Sequence, residues 1–181
     1  MKSLETKRMI LRALSLEDLE EFNRYAKKPH IGPMAGWAPH TSLEESRAIL
    51  NMMIKENEVW GITVKPSPKI VGTIGLHVRN FHNAVLNQKE VGYVIDDVFW
   101  GQGLMVEAVK AVLDYAFFEL ELTKVLCGHA KNNLQSKRVI EKCGFTPTGI
   151  DLRDHFDGTK IEILMYEMTI NQYKELTPWQ N

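Results

Sequence analysis

One α+β domain, with strands in mixed order and helices between them, is the fold class this sequence predicts. Three observations carry it. The 181 residues suit one domain of ordinary size, 1–181, with no linker, repeat or low-complexity segment to divide them. Strand-like apolar runs and helix-like periodicities follow one another along the chain. Near residue 95 a strand runs through a Gly-x-Gly turn straight into a helix.

Met9 to Leu14 reads as a first strand. Ser15 with Asp18 three positions later is a capping box, and Leu16, Leu19, Phe22 and Ala26 then recur at helical spacing until Lys28-Pro29. Pro29 to Pro39, with Gly32, Pro33 and Gly36, is a loop; Trp37 in it is either a packing anchor or a pocket wall. Ser42-Leu43-Glu44-Glu45 is a second capping box, opening a helix to about Lys55. Val59 to Lys65 and Lys69 to Val78 are strands joined by Pro66-Ser67-Pro68, and a polar loop, Arg79 to Gln88, follows. Glu90 to Ile95 is a strand. Gly101 to Met105 opens a helix whose apolar face carries Val106, Val109, Val112, Leu113, Ala116 and Phe117. Val125 to His129 is a strand, Leu134 to Cys143 a helix stopped by Gly144, and strands begin at Phe145 and run from Ile161 to Met168.

Composition narrows the function. Lys plus Arg is 22 against 23 Asp plus Glu, so the formal charge of −1 gives no electrostatic reason to expect nucleic acid or a membrane surface as partner. Charges in Met1 to Arg8 argue against a secretory signal, and the longest apolar runs are too short to span a bilayer. Cys127 and Cys143 cannot make a disulfide framework and fit a reducing compartment, so a cytoplasmic protein is expected. The six histidines show no metal-ligand spacing, so no metal is expected, and Cys127 on a core strand reads as packing rather than a nucleophile.

The stretch from Ile95 to Met105 is the most informative. Glycines let backbone N–H groups approach an anion, and a helix N-terminus adds positive partial charge. A bare strand–helix turn is the alternative for an isolated Gly-x-Gly. A Walker loop would need Lys and Ser or Thr after Gly103, where Leu104-Met105 stand, and a dinucleotide fingerprint would need a small residue at Val106. A second stretch, Ala130 to Phe145, is by itself an amphipathic helix capped by Asn132 or Asn133.

Together these stretches resemble the GCN5-related N-acetyltransferase (GNAT) superfamily, and within it the ribosomal-protein N-terminal acetyltransferases. The resemblance rests on Glu5-Thr6-x-Arg8-x-x-Leu11-Arg12, Glu90-x-Gly92-Tyr93, Gly101-Gln102-Gly103 with Glu107-Ala108, Asn133-x-x-Ser136-x-x-Val139-x-x-Lys142-x-Gly144-Phe145, Gly149 and Tyr166. Each motif alone is weak; the set, in order and spacing, covers nearly the whole chain. Trp100 and Met105 stand where that superfamily usually has Gln or Arg and Gly or Ala, changes that leave backbone donors in place.

The resemblance implies a central mixed sheet with helices on both faces and a splayed pair of central strands. It implies acetyl-CoA as co-substrate, a primary amine as acceptor and direct transfer without an acyl-enzyme. The pyrophosphate would lie on N–H groups of Gly101, Gln102, Gly103, Leu104 and Met105, and the pantetheine beside Tyr93, Val94 and Ile95, one of whose N–H groups would polarise the thioester carbonyl. Asn133 would bind the pantetheine, Arg138 with Lys137 the 3′-phosphate, and Ser136 would donate to the leaving sulfur; ordinary helix capping is the other reading of Ser136. Glu90 and His155 are the candidate bases, against a solvated strand glutamate and a surface-loop histidine. Trp37 is expected on the acceptor side.

Three functions remain open: a protein N-terminal α-amine acetyltransferase, a polyamine or aminoglycoside acetyltransferase, and a non-catalytic acyl-CoA-binding module. An α-amine, with a pKa of about 7.7–8 against about 10.4 for lysine, needs less help to become neutral. The cleft loops Pro29 to Pro39 and Arg79 to Gln88 contain no Asp or Glu, which disfavours a polycation. The oligomeric state is left between monomer and homodimer.

Overall fold

The structure is a computed structural model that describes residues 1–78 and 87–177. Its strands are β1 (Leu4–Glu5), β2 (Met9–Ala13), β3 (Val59–Val64), β4 (Ile70–His77), β5 (Gln88–Ile95), β6 (Lys124–Ala130), β7 (Thr146–Asp154) and β8 (Lys160–Thr169). Its helices are α1 (Leu19–Ala26), α2 (Gly32–Ala35), α3 (Leu43–Glu56), α4 (Leu104–Phe118), α5 (Leu134–Cys143) and α6 (Ile170–Leu176). The strands form one sheet in the order β1-β2-β3-β4-β5-β6-β8-β7, antiparallel throughout except for the parallel pair β5/β6. That pair needs a crossover, and α4 supplies it.

Helices cover both faces. On one, Leu104, Ala108, Val112 and Ala116 of α4 pack on Trp60, Ile62, Ile74 and Val91. On the other, Leu19, Phe22 and Tyr25 of α1 and Leu50 of α3 pack on Val59 and Ile70. Strand alternation divides neighbouring residues between these layers. The first capping box is present and does more than cap: the Asp18 carboxylate accepts from the Ser15 N–H and takes both arms of the Arg12 guanidinium at 2.6 and 2.9 Å, locking β2 to the start of α1.

Several elements differ from the sequence expectation. The Ser15 box opens a 3₁₀ turn, Leu16–Asp18, before α1 begins. The Pro29 to Pro39 loop contains the single turn α2, ended by Gly36 at φ 90, too short to show a period. α6 was not foreseen, although Thr169 and Gln172 form a capping box; it is anchored by buried Tyr173. The Arg79 to Gln88 loop lies, up to residue 86, outside the described residues.

Candidate active site

The sheet opens at its centre. β5 and β6 pair only from Gln88 with Lys124 to Val91 with Cys127, while β5 stays on β4 to Ile95 and β6 stays on β8 to Ala130. Beyond Val91 the two strands therefore part, and each has an unpaired edge facing the gap. Hydrogen-bond parity says which groups are free there. The Asp96 N–H donates to Val71 O, so the groups of Val94 and Gly92 turn to β4 and those of Tyr93 and Ile95 turn to the gap. Val94 is thus removed from the expected backbone donors. From β6, the Lys131 N–H donates to Glu162 O, which by the same alternation turns Gly128 to the gap. The indole N–H of Trp100 donates to Ile95 O at 2.9 Å, closing that end of the edge.

The glycine turn lies at the far end of this gap. Gly101 and Gly103 have φ of 74 and 72, the left-handed region where glycine is favoured. Among the described residues no side chain caps α4, which leaves its first N–H groups available. Arg8 holds the turn from behind: its guanidinium donates to Gln102 O at 2.9 Å and to Glu107 at 2.7 Å. Gln102 is turned out; its side-chain amide donates to Val98 O, and unlike Gly101, Gly103, Leu104 and Met105 it does not line the cleft. Arg138 and Lys142, one turn apart on α5, add positive charge to the rim.

A cleft of about 1200 Å³ joins the gap to the space under α1, α2 and α3. On the α4 face of the gap, the Tyr93 and Ser136 hydroxyls meet at 2.9 Å. Burial pushes the Tyr93 phenol well above its ordinary pKa, so it stays protonated. Ser136 does not cap its helix with its hydroxyl. Asn133 is the cap, its side-chain oxygen accepting the Ser136 N–H at 3.0 Å while its amide nitrogen donates to Met34 O at 3.0 Å. Both ends of the Asn133 amide are therefore engaged within the chain, where the family resemblance had it holding pantetheine. Burial raises the Cys127 thiol strongly and the Cys143 thiol to about 12, which leaves both inert.

On the opposite face the two expected bases part company. Glu90 lines the cleft but is buried, and both its oxygens accept from the Arg153 guanidinium at 2.9 and 3.0 Å. His155 is not brought to the cleft: it sits in the β7–β8 turn, Nδ1 2.9 Å from Asp157 and its ring against Phe156. Trp37 is half-buried and fits both earlier readings, packing on Gly32 and His40 while facing the cleft. Lys28 reaches from the end of α1 to Asp96, at 2.5 Å, and to Asp97, tying the acceptor side to the turn that precedes the glycine loop.

A gap between parallel strands leading to a glycine-lined helix start has the shape a phosphopantetheine donor would fit. Residues 8–146 match the family described as "Acetyltransferase (GNAT) domain". The chain belongs to the GNAT acetyltransferase family. It is similar to "Uncharacterized N-acetyltransferase p20" of Bacillus licheniformis, 27% identical over 96% of this chain and 99% of that one. "Putative ribosomal N-acetyltransferase YdaF" of Bacillus subtilis is 31% identical over 58% of this chain and 56% of its own. "Spermidine N(1)-acetyltransferase" of Vibrio cholerae is 26% identical over 82% and 84%. Among solved structures, a GCN5-related N-acetyltransferase from Brucella melitensis superposes with a TM-score of 0.85 at 17% identity, over 98% of this chain and 82% of that one.

The cleft is also lined by residues that sequence reasoning missed. Lys142 was legible as the i,i+4 companion of Arg138. Arg153 and His77 were not, because their placement depends on strand register. Among the described residues, no helix is long and apolar enough to cross a membrane, and no group of three or more His, Cys, Asp or Glu is placed to hold a metal ion.

Proposed function

We propose that this acetyltransferase acts on protein N-terminal α-amines. The observation that carries the reading is the charge state of the cleft. Among the described residues the carboxylates lining it are Glu45, Glu90 and Asp154. Each is already engaged: Glu45 by the N–H and hydroxyl of Thr41, Glu90 by Arg153, Asp154 by Lys160. A polyamine would bring further ammonium groups to a cleft in which two of these three carboxylates are already paired with cations. The walls offered by Met34, Trp37, Ile49 and Met53 suit instead the first residues of an extended peptide. The likeness to YdaF favours the same reading, and that to the spermidine enzyme favours the competing one. The free thiols fit the cytoplasm as the place of action.

In this reading acetyl-CoA binds with its pyrophosphate on the backbone of Gly101 and Gly103 to Met105 and its 3′-phosphate near Arg138 and Lys142. Its pantetheine runs along the Tyr93–Ile95 edge, where the Tyr93 and Ile95 N–H groups are the donors positioned to polarise the thioester carbonyl. The Ser136 hydroxyl, oriented by Tyr93, donates to the departing sulfur. Glu90, held by Arg153, fixes charge on the acceptor side.

Two measurements test this. In a thiol-release assay across N-terminal peptides, spermidine and aminoglycosides, free α-amine peptides are expected to have the highest kcat/KM. Trp37→Ala is expected to raise the peptide KM with acetyl-CoA affinity intact. Efficient spermidine turnover with no peptide turnover would move the enzyme to the small-amine class. For the leaving group, Ser136→Ala is expected to lower kcat by about 10²-fold or more with little change in the acetyl-CoA KM. Melting should hardly change, because the α5 cap belongs to Asn133. Full turnover in that variant would remove Ser136 from the chemistry.

A further inference from the structure

We infer that His77 is the general base that takes the proton from the attacking amine. The inference deepens the acetyl-transfer reading and depends on the proposed acceptor only for the choice of assay.

His77 ends β4 directly across the ladder from Glu90. Its ring folds back along its own strand: a Cβ on Gly75 would stand 2.7 Å from Nε2, and one on Gly92 at 3.7 Å from it. The ring can lie there because Gly75 has no side chain. Gly92 is also where β5 loses its partner, since the last β5/β6 pair is Val91 with Cys127. The imidazole thus lines the cleft at the mouth of the gap. It lies on the acceptor face, because residues 90 and 92 share that face while Tyr93 turns its hydroxyl to Ser136 on the other. A base on one side of the sheet and a leaving-group donor on the other is the disposition that direct transfer through the gap requires.

Among the described residues, charged groups lie near His77 on both neighbouring strands. Glu58, just before β3, has its carboxylate 3.7 Å from Nδ1 and is itself held by Lys89 at 3.2 Å. Glu90 on β5 is held by Arg153 of β7 at 2.9 Å. The other cleft imidazoles are placed elsewhere: His30 lies on Asp97 at 2.7 Å, His40 is buried on Ser46, and His129 points to Tyr166.

The step balances without a co-reactant. The amine nitrogen bonds to the thioester carbonyl carbon, and its proton passes to the His77 ring and on to water. The C–S bond breaks, and the sulfur leaves as a thiolate, hydrogen-bonded by Ser136, and takes a proton from solvent.

The wild-type enzyme is assayed first on the acceptor panel. Failure on peptides would sink the acceptor reading alone, and the base is then tested with whichever amine turns over. On that amine, His77→Gln is expected to lower kcat at least about 10²-fold, with the acetyl-CoA Kd within twofold. The rate per neutral amine should lose its acid limb in His77→Gln, and added imidazole should restore part of the activity of His77→Ala. A His77→Gln enzyme with near wild-type kcat, or one that is slow but keeps the same pH limb with no imidazole rescue of His77→Ala, overturns the assignment.

Discussion

Gly103→Asp is expected to abolish acetyl-CoA binding in a protein that still folds. Gly103 stands at φ 72, and among the described residues the Arg8 guanidinium, 3.8 Å from a Cβ, is its neighbour. A side chain there meets open space, so the folding cost is that of a left-handed residue, about 1 kcal/mol, and Asp tolerates that region better than most. The cost to binding is larger. A carboxylate about 4 Å from a phosphate is repelled by about 4 kcal/mol at an effective dielectric of 20, near 10³-fold in affinity. Arg8 would offset part of this. Calorimetry should therefore show affinity lower by at least 10²-fold for Asp and by far less for Gly103→Ala, which adds strain without charge. A folded Asp variant with unchanged affinity would remove the phosphate from this turn.

The second large effect is on stability. Gly72→Ala is expected to lower the melting temperature and the turnover together. Gly72 sits in β4 opposite Ile95, and its added Cβ would stand 2.8 Å from Ile95 Cα and closer still to the Val94 carbonyl oxygen. Both obstacles are backbone, so no rotamer change relieves them; the β4–β5 ladder has to move. Overpacking of this kind costs about 1–3 kcal/mol, and a chain of this length loses about 2–4 °C per kcal/mol. The displaced segment is the Val94–Ile95 stretch that borders the gap, so acetyl-CoA affinity should fall as well. A variant that melts like the wild type would show that the strands separate there more easily than the contacts indicate.

Much of this was legible in the sequence. The caps at Ser15 and Ser42, the stop at Gly144 and the turn at Gly101 and Gly103 are settled within a few residues, by local side-chain and backbone geometry. The elements that escaped were those without such a signal: α2 is one turn long, and α6 follows a strand so closely that its Thr169–Gln172 cap lay at the end of an apolar run. Gly72 and Gly75 looked like ordinary strand residues, because what a Cβ would strike there comes from another strand or from a ring folded back along the same one.

By itself, then, the chain determined a mixed α+β architecture and a glycine turn that opens a helix, since caps, turns and periodicities are local. It also carried, through the order of its motifs, the likeness to an acetyltransferase. The tertiary structure alone decided which side chains meet. Glu90 is paired with Arg153, 63 residues away, and Tyr93 with Ser136, 43 residues away. His155, a plausible base on paper, is carried by the β7–β8 turn to Asp157. His77, which no spacing singled out, is laid at the opening of the gap. The reason is register. A shift of one residue in a strand reverses every side chain between the two faces, and register is set by pairing across the sheet, which no local pattern encodes.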